Sequence, residues 1–122
     1  MGRVLVVDDE PEACRALKEF LDLKGYEVQT AHDGKTALNE VNTFKPHIVL
    51  LDMNMPGMDG VEVLKEIRKI DSSIGVIMVT VVSDHERAKS TLDLGAFDYI
   101  TKPVDLNYLE TVVLVKAVDL QC

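Results

Sequence analysis

Apolar residues in this chain fall into short unbroken runs separated by longer stretches in which they recur at helical spacing. Val4-Leu5-Val6-Val7, Ile48-Val49-Leu50-Leu51 and Val76-Ile77-Met78-Val79 are continuous. Such runs read as strands buried on both faces, the habit of central strands in a parallel sheet. Glu27-Val28-Gln29-Thr30-Ala31 alternates instead, so it reads as an edge strand with one wetter face. Tyr99-Ile100 makes a short fifth strand, closed by Thr101-Lys102-Pro103.

Helices are predicted between the strands. Pro11 suits a first helical turn, and Ala13, Leu17, Phe20 and Leu21 recur at helical spacing up to Lys24-Gly25. Asp33-Gly34 opens a second helix with Ala37, Leu38 and Val41, ending near Phe44-Lys45-Pro46. A third covers about 61–70 with Val61, Val63, Leu64 and Ile67. Ser83-Asp84 is expected to cap a polar helix holding Ala88, Leu92 and Leu94 before Gly95. Asp105 or Asn107 starts the last helix, which runs close to Cys122. Strand and helix alternating in this way require a parallel sheet with right-handed crossovers. The predicted fold class is α/β: a doubly wound five-stranded parallel sheet with helices on both faces. The wetter second strand at an edge favours the flavodoxin-like strand order 2-1-3-4-5.

Composition narrows the function. At 122 residues, with no repeats or linkers, residues 1–122 read as one domain with no effector domain beside it. Acidic residues number 21 against 13 basic, a formal net charge of -8, which disfavours direct nucleic-acid binding and suits metal cations or basic partners. No apolar run approaches the roughly 20 residues of a membrane span, and no signal peptide follows Met1, so a cytoplasmic protein is expected. Cys14 and Cys122 form neither a disulfide framework nor a metal spacing.

The chemistry gathers at strand ends. Asp8 and Asp9 end the first strand, Asp52 the third, Thr80 the fourth and Lys102 the fifth, all on the carboxyl edge where open α/β sheets place their sites. Three carboxylates close together raise the pKa of at least one unless a cation sits among them. Hard oxygen ligands with open positions suit Mg²⁺. Lys102 adds a positive point charge and Thr80 a hydroxyl, which completes the parts for phosphoryl transfer onto a carboxylate.

With these residues in view, the chain resembles a receiver domain of the two-component response regulators over residues 3 to about 120. The matching pieces are Val6-Val7-Asp8-Asp9-Glu10, Leu50-Leu51-Asp52-Met53-Asn54-Met55-Pro56-Gly57-Met58-Asp59-Gly60, Thr80, and Gly95-Ala96-Phe97-Asp98-Tyr99-Ile100-Thr101-Lys102-Pro103. The resemblance implies that Asp52 accepts a phosphoryl group from the phosphohistidine of a sensor histidine kinase. It implies Mg²⁺ held by Asp8, Asp9, Asp52 and the backbone carbonyl of Asn54, with Thr80 and Lys102 on the phosphoryl oxygens. Tyr99 would be the aromatic that turns inward on activation. The surface of the fourth helix, fifth strand and last helix would then act on an effector domain or partner protein. Family members commonly have a cis bond at the position of Lys102-Pro103. Catalysis would be confined to the chain's own phosphorylation and dephosphorylation, so it is not expected to be an enzyme acting on other substrates.

Rival readings fit less well. An EF-hand loop starting at Asp52 would put Pro56 and Val63 where oxygen ligands are needed. A nucleotide-binding module would want a phosphate-cradling loop where Asp8-Asp9-Glu10-Pro11 stands. The aspartyl-nucleophile phosphatases carry a second acid two residues on, where this chain has Asn54. The alternative is a pseudo-receiver that binds partners without phosphorylation, and the presence of Asp9, Asp52 and Lys102 weighs against it.

Other features read as structure. His32, His47 and His85 are scattered, Asp71, Asp84, Glu86 and Asp93 read as solvated charges, and Met53, Met55 and Met58 as loop packing. Phe97 is expected to pack on a neighbouring helix. Two departures from the family pattern carry expectations. Val81 stands where a small residue is usual, and Val82 offers nothing to orient a water, so slow self-dephosphorylation is expected. In the last helix, Val112-Val113-Leu114-Val115 cannot all face one core, which leaves an exposed patch for a homodimer, a partner or a neighbouring domain.

Overall fold

The computed structural model describes residues 2–121 apart from Pro56 and Met58, with the side chains of Leu120 and Gln121 left aside; the sequence readings at Pro56, Met58 and Cys122 lie outside the described residues. The elements are β1 (Arg3–Val7), α1 (Pro11–Leu23), β2 (Glu27–Ala31), α2 (Gly34–Thr43), β3 (Ile48–Asp52), α3 (Gly60–Ile70), β4 (Gly75–Thr80), α4 (His85–Ser90), β5 (Asp98–Thr101) and α5 (Leu106–Gln121). All neighbouring strands are parallel, in the order β2-β1-β3-β4-β5. The wetter β2 is an edge strand, as its alternation predicts.

The period of two along each strand divides the core. Leu5, Val7, Val49, Leu51, Val76 and Met78 face one side, where they pack with Ala37 and Val41 of α2, Val63, Leu64 and Ile67 of α3, and Ala88 of α4. Val4, Val6, Ile48, Leu50 and Ile77 face the other, against Cys14, Leu17 and Leu21 of α1 and Leu109, Val112, Val113 and Ala117 of α5. Burying each such side chain contributes roughly 1.5–3 kcal/mol, so the two faces together hold the strand ends in fixed register. Met53 and Met55 belong to the first of these faces. Within the apolar run of α5, Val112 and Val113 are buried while Leu114 and Val115 are exposed, as is Val118 one turn on, so the run does split between core and surface.

Caps set the helix starts. The Asp33 side chain accepts from Thr36 N at 2.7 Å to open α2, and Asp59 accepts from Val61 N at 2.9 Å to open α3. Asp105 accepts from the backbone N–H groups of Asn107 and Tyr108 at the start of α5. The region before β5 departs from expectation. A single capped helix up to Leu94 is predicted, whereas α4 has 6 residues and lies between 3-10 turns at Val82–Asp84 and Thr91–Leu94. Ala88 is the one buried residue of α4, too little apolar surface to hold a longer helix, and the Thr91 hydroxyl turns inward to donate to Ala88 O at 2.5 Å. Asp84 makes no cap hydrogen bond among the described residues. Phe97 is 37% exposed, with the Lys116 ammonium of α5 5.1 Å from its ring centre. Among the described residues no helix is long and apolar enough to cross a membrane.

Candidate functional site

Because β1 and β3 pair with Val7 opposite Leu51, the residues that follow, Asp8 and Asp52, emerge side by side at the carboxyl edge. Both are buried, at 3% and 2% exposure. Asp8 Oδ1 accepts from Glu10 N at 3.0 Å, and Asp52 Oδ1 accepts from Asn54 N at 3.0 Å. Each carboxylate is thereby turned back toward its own loop, and its second oxygen is left toward the centre. Lys102 reaches in from the end of β5, its ammonium 3.4 Å from Asp52 Oδ2 and 3.6 Å from Asp8 Oδ2. Its backbone N–H donates to Thr80 O at 2.7 Å, and the Lys102-Pro103 bond is cis.

Asp8, Asp9 and Asp52 each offer an oxygen within 4.8 Å of the others. Three carboxylates against the single Lys102 ammonium leave an excess of two negative charges when all are ionised. Burial pushes the Asp8 carboxyl above its usual range, and Asp52 and Asp9 add to the shift against the opposing Glu10 N–H and Lys102. Burial alone would lower the Lys102 pKa; the carboxylates of Asp52 and Asp8 outweigh it and raise it. The set is therefore hard, oxygen-rich, short of positive charge and partly open on the Asp9 side, which fits a divalent cation such as Mg²⁺.

The remaining predicted residues are placed nearby but are engaged elsewhere. Thr80 is fully buried at the end of β4, and its hydroxyl donates to Val81 O at 3.2 Å. Tyr99 is half-buried on β5, its hydroxyl 2.8 Å from His85 Nε2. The Asn54 side-chain nitrogen donates to Asp84 Oδ2 at 2.6 Å, and Arg87 pairs with Asp59. The solvated-charge reading of Asp84 is thus corrected: it bridges to the loop that follows Asp52. Neither Asp84 nor His85 carries a local signal for these contacts. The partners are 30 and 14 residues away, and only the adjacency of β3, β4 and β5 brings them together. Cys14 lies under the site with its thiol pKa pushed by burial to about 11, which makes it an inert packing residue.

Comparisons with known proteins agree on the type of domain. The family model described as "Response regulator receiver domain" matches residues 4–114. Regulatory protein AtoC of Escherichia coli is 41% identical over 113 residues, which are 93% of this chain and 24% of AtoC, so the chain spans about a quarter of that relative. A response regulator receiver domain protein from Clostridium thermocellum superposes with a TM-score of 0.95 at 30% identity, covering 99% of this chain and 98% of that one. The response regulator TrrA of Thermotoga maritima, in complex with Mg²⁺-BeF, superposes with a TM-score of 0.85 at 37% identity, covering 95% of this chain and 99% of that one.

Proposed function

The chain belongs to the response regulator receiver domain family, and from that premise we propose that it is a phosphorylation-controlled switch with Asp52 as the phosphoacceptor. An Asp52 oxygen attacks the phosphorus of a sensor kinase's phosphohistidine. The phosphorus–nitrogen bond breaks, and its electron pair stays on the imidazole. The Lys102 ammonium, already 3.4 Å from Asp52 Oδ2, meets the charge on the arriving phosphoryl oxygens. Asp8, Asp9, Asp52 and the backbone carbonyl of Asn54 would hold Mg²⁺, which when bound offsets the carboxylate excess and draws charge from the phosphoryl oxygens. The Thr80 hydroxyl gives up Val81 O to bond the phosphoryl group, and Tyr99 follows it inward, reshaping the face made by α4, β5 and α5. That face acts on an effector domain or a partner protein in the cytoplasm, or on a second copy through the exposed Leu114, Val115 and Val118.

The observation that carries this reading is Asp52 itself: a carboxylate 2% exposed at a strand end, flanked by two further carboxylates and one ammonium. A buried structural acid would not be surrounded by like charge. Incubation with acetyl phosphate and Mg²⁺ should add one phosphoryl mass to the intact protein. Asp52→Asn should abolish that gain and Asp93→Asn should leave it unchanged; full labelling of Asp52→Asn would overturn the assignment.

A further inference from the structure

Asp84 ends the 3-10 turn that follows β4, and its backbone N–H donates to Val81 O at 3.0 Å, so its carboxylate is held close after Thr80. From there it takes the Asn54 side-chain nitrogen in a bond of 2.6 Å, while the Asn54 backbone N–H holds Asp52 Oδ1. The pair of Arg87 with Asp59 ties the same segment to the same loop a second time.

Loss of a phosphoryl group from Asp52 needs a water in line with the Asp52 oxygen. A new P–O bond forms to that water and the bond to the Asp52 oxygen breaks. The electron pair returns to the carboxylate, and the water proton passes to the departing phosphate or to bulk. The rate depends on an acceptor that orients the water. Val81 and Val82 have no polar side-chain atom to do so. The Asn54 carboxamide has a donating and an accepting end, and its terminal torsion is soft. A carboxylate on the donating end makes a charge-assisted bond. The torsion is then arrested, and among the described residues the accepting oxygen takes no hydrogen bond.

We propose that Asp84 is a positioning residue for dephosphorylation: by holding the Asn54 amide nitrogen it fixes the carboxamide whose oxygen orients the attacking water. It supplies the carboxylate that Val82, the nearer position, lacks. The inference rests on Asp52 being the phosphoacceptor.

The test follows the loss of phosphoryl mass after loading with acetyl phosphate and Mg²⁺ and removing the donor. Asp84→Ala should lengthen the half-life about 3–10-fold, a fraction of what full acid–base assistance gives. Asp84→Asn keeps an acceptor oxygen and should restore much of the parent rate, which a merely structural role would not predict. Adding Asp84→Ala to Asn54→Ala should change nothing further. In the unphosphorylated protein, Asp84→Ala should also shift the Asn54 side-chain amide resonances. Equal half-lives of the parent and Asp84→Ala, full additivity with Asn54→Ala, or unmoved Asn54 resonances would each overturn the inference alone. A parent that gains no mass would overturn the phosphoacceptor reading and this inference with it.

Discussion

The Tyr99 hydroxyl shares a 2.8 Å hydrogen bond with His85 Nε2, and the two rings meet edge to face with centres 5.4 Å apart. The aromatic that would turn inward is thus tethered to the first residue of α4. A hydrogen bond of this kind contributes about 1 kcal/mol net, enough to bias a two-state equilibrium roughly fivefold. His85→Ala should therefore move the unphosphorylated amide spectrum part-way toward the phosphorylated one. Shifts on phosphorylation should run from Thr80 through Tyr99 to Tyr108, whose hydroxyl donates to Asp98. Shifts confined to the Asp52 loop, in parent and variant alike, would show that Tyr99 is no part of a switch.

The raised Asp8 pKa makes a prediction about pH. An acid whose folded pKa exceeds its unfolded value contributes stability that is complete below the unfolded pKa, near 3.8, and lost as pH rises through the folded value. As pH rises through the folded pKa, the metal-free protein takes on the cost of ionised Asp8. Asp8→Asn keeps the acceptor for Glu10 N and removes that cost. It should raise the melting temperature in EDTA at neutral pH. The gain should shrink as pH falls toward 4, and the variant should lose most of the stabilisation the parent draws from Mg²⁺. Identical melting of the two proteins at neutral pH in EDTA would contradict this account.

Much of the fold was legible because burial on both faces leaves unbroken apolar runs, and β1, β3 and β4 have them. The acids were legible because each follows such a run directly, so the sheet alone brings Asp8 beside Asp52. The segment between β4 and β5 was not. Its helix is short and polar, with Ala88 as the single buried side chain, so neither periodicity nor a cap marks its bounds. The contacts of Asp84, His85 and Arg87 were hidden for a related reason. Each is a polar pair across separate strand ends, set by topology rather than by any spacing along the chain.

Gly60 opens α3 against the backbone at Asp52 and Met53. A Cβ there would stand 2.7 Å from Met53 Cα and 2.8 Å from Asp52 O, both main-chain atoms that cannot swing aside. It is the first residue of α3, where alanine would be favoured on propensity alone. The contact should win: Gly60→Ala is expected to destabilise by roughly 1–3 kcal/mol, the range of an overpacked core, and to slow phosphorylation by displacing Asp52. Denaturant melts and acetyl phosphate labelling check both halves. A variant as stable as the parent would mean that the loop yields more readily than its burial implies.

Val81 governs access if side-chain size is what limits it. It adjoins Thr80, its carbonyl holds the Thr80 hydroxyl, and its side chain is 38% exposed. If it lies over the Asp52 oxygen, a bulky apolar group there would exclude water and equally obstruct a small donor. Val81→Ala leaves the main-chain carbonyl in place, so it tests the side chain alone. It should accelerate both uptake from acetyl phosphate and loss of the phosphoryl group, by about 3-fold each, a modest effect because the group acts by exclusion rather than by proton transfer. Val82→Glu adds a carboxylate that can orient a water without opening the approach, so it should speed mainly the loss. The two variants thus separate access from orientation. Equal uptake and equal half-lives for the parent and Val81→Ala under saturating Mg²⁺ would place the barrier elsewhere, in the opening of the loop that Asp84 and Arg87 tie down.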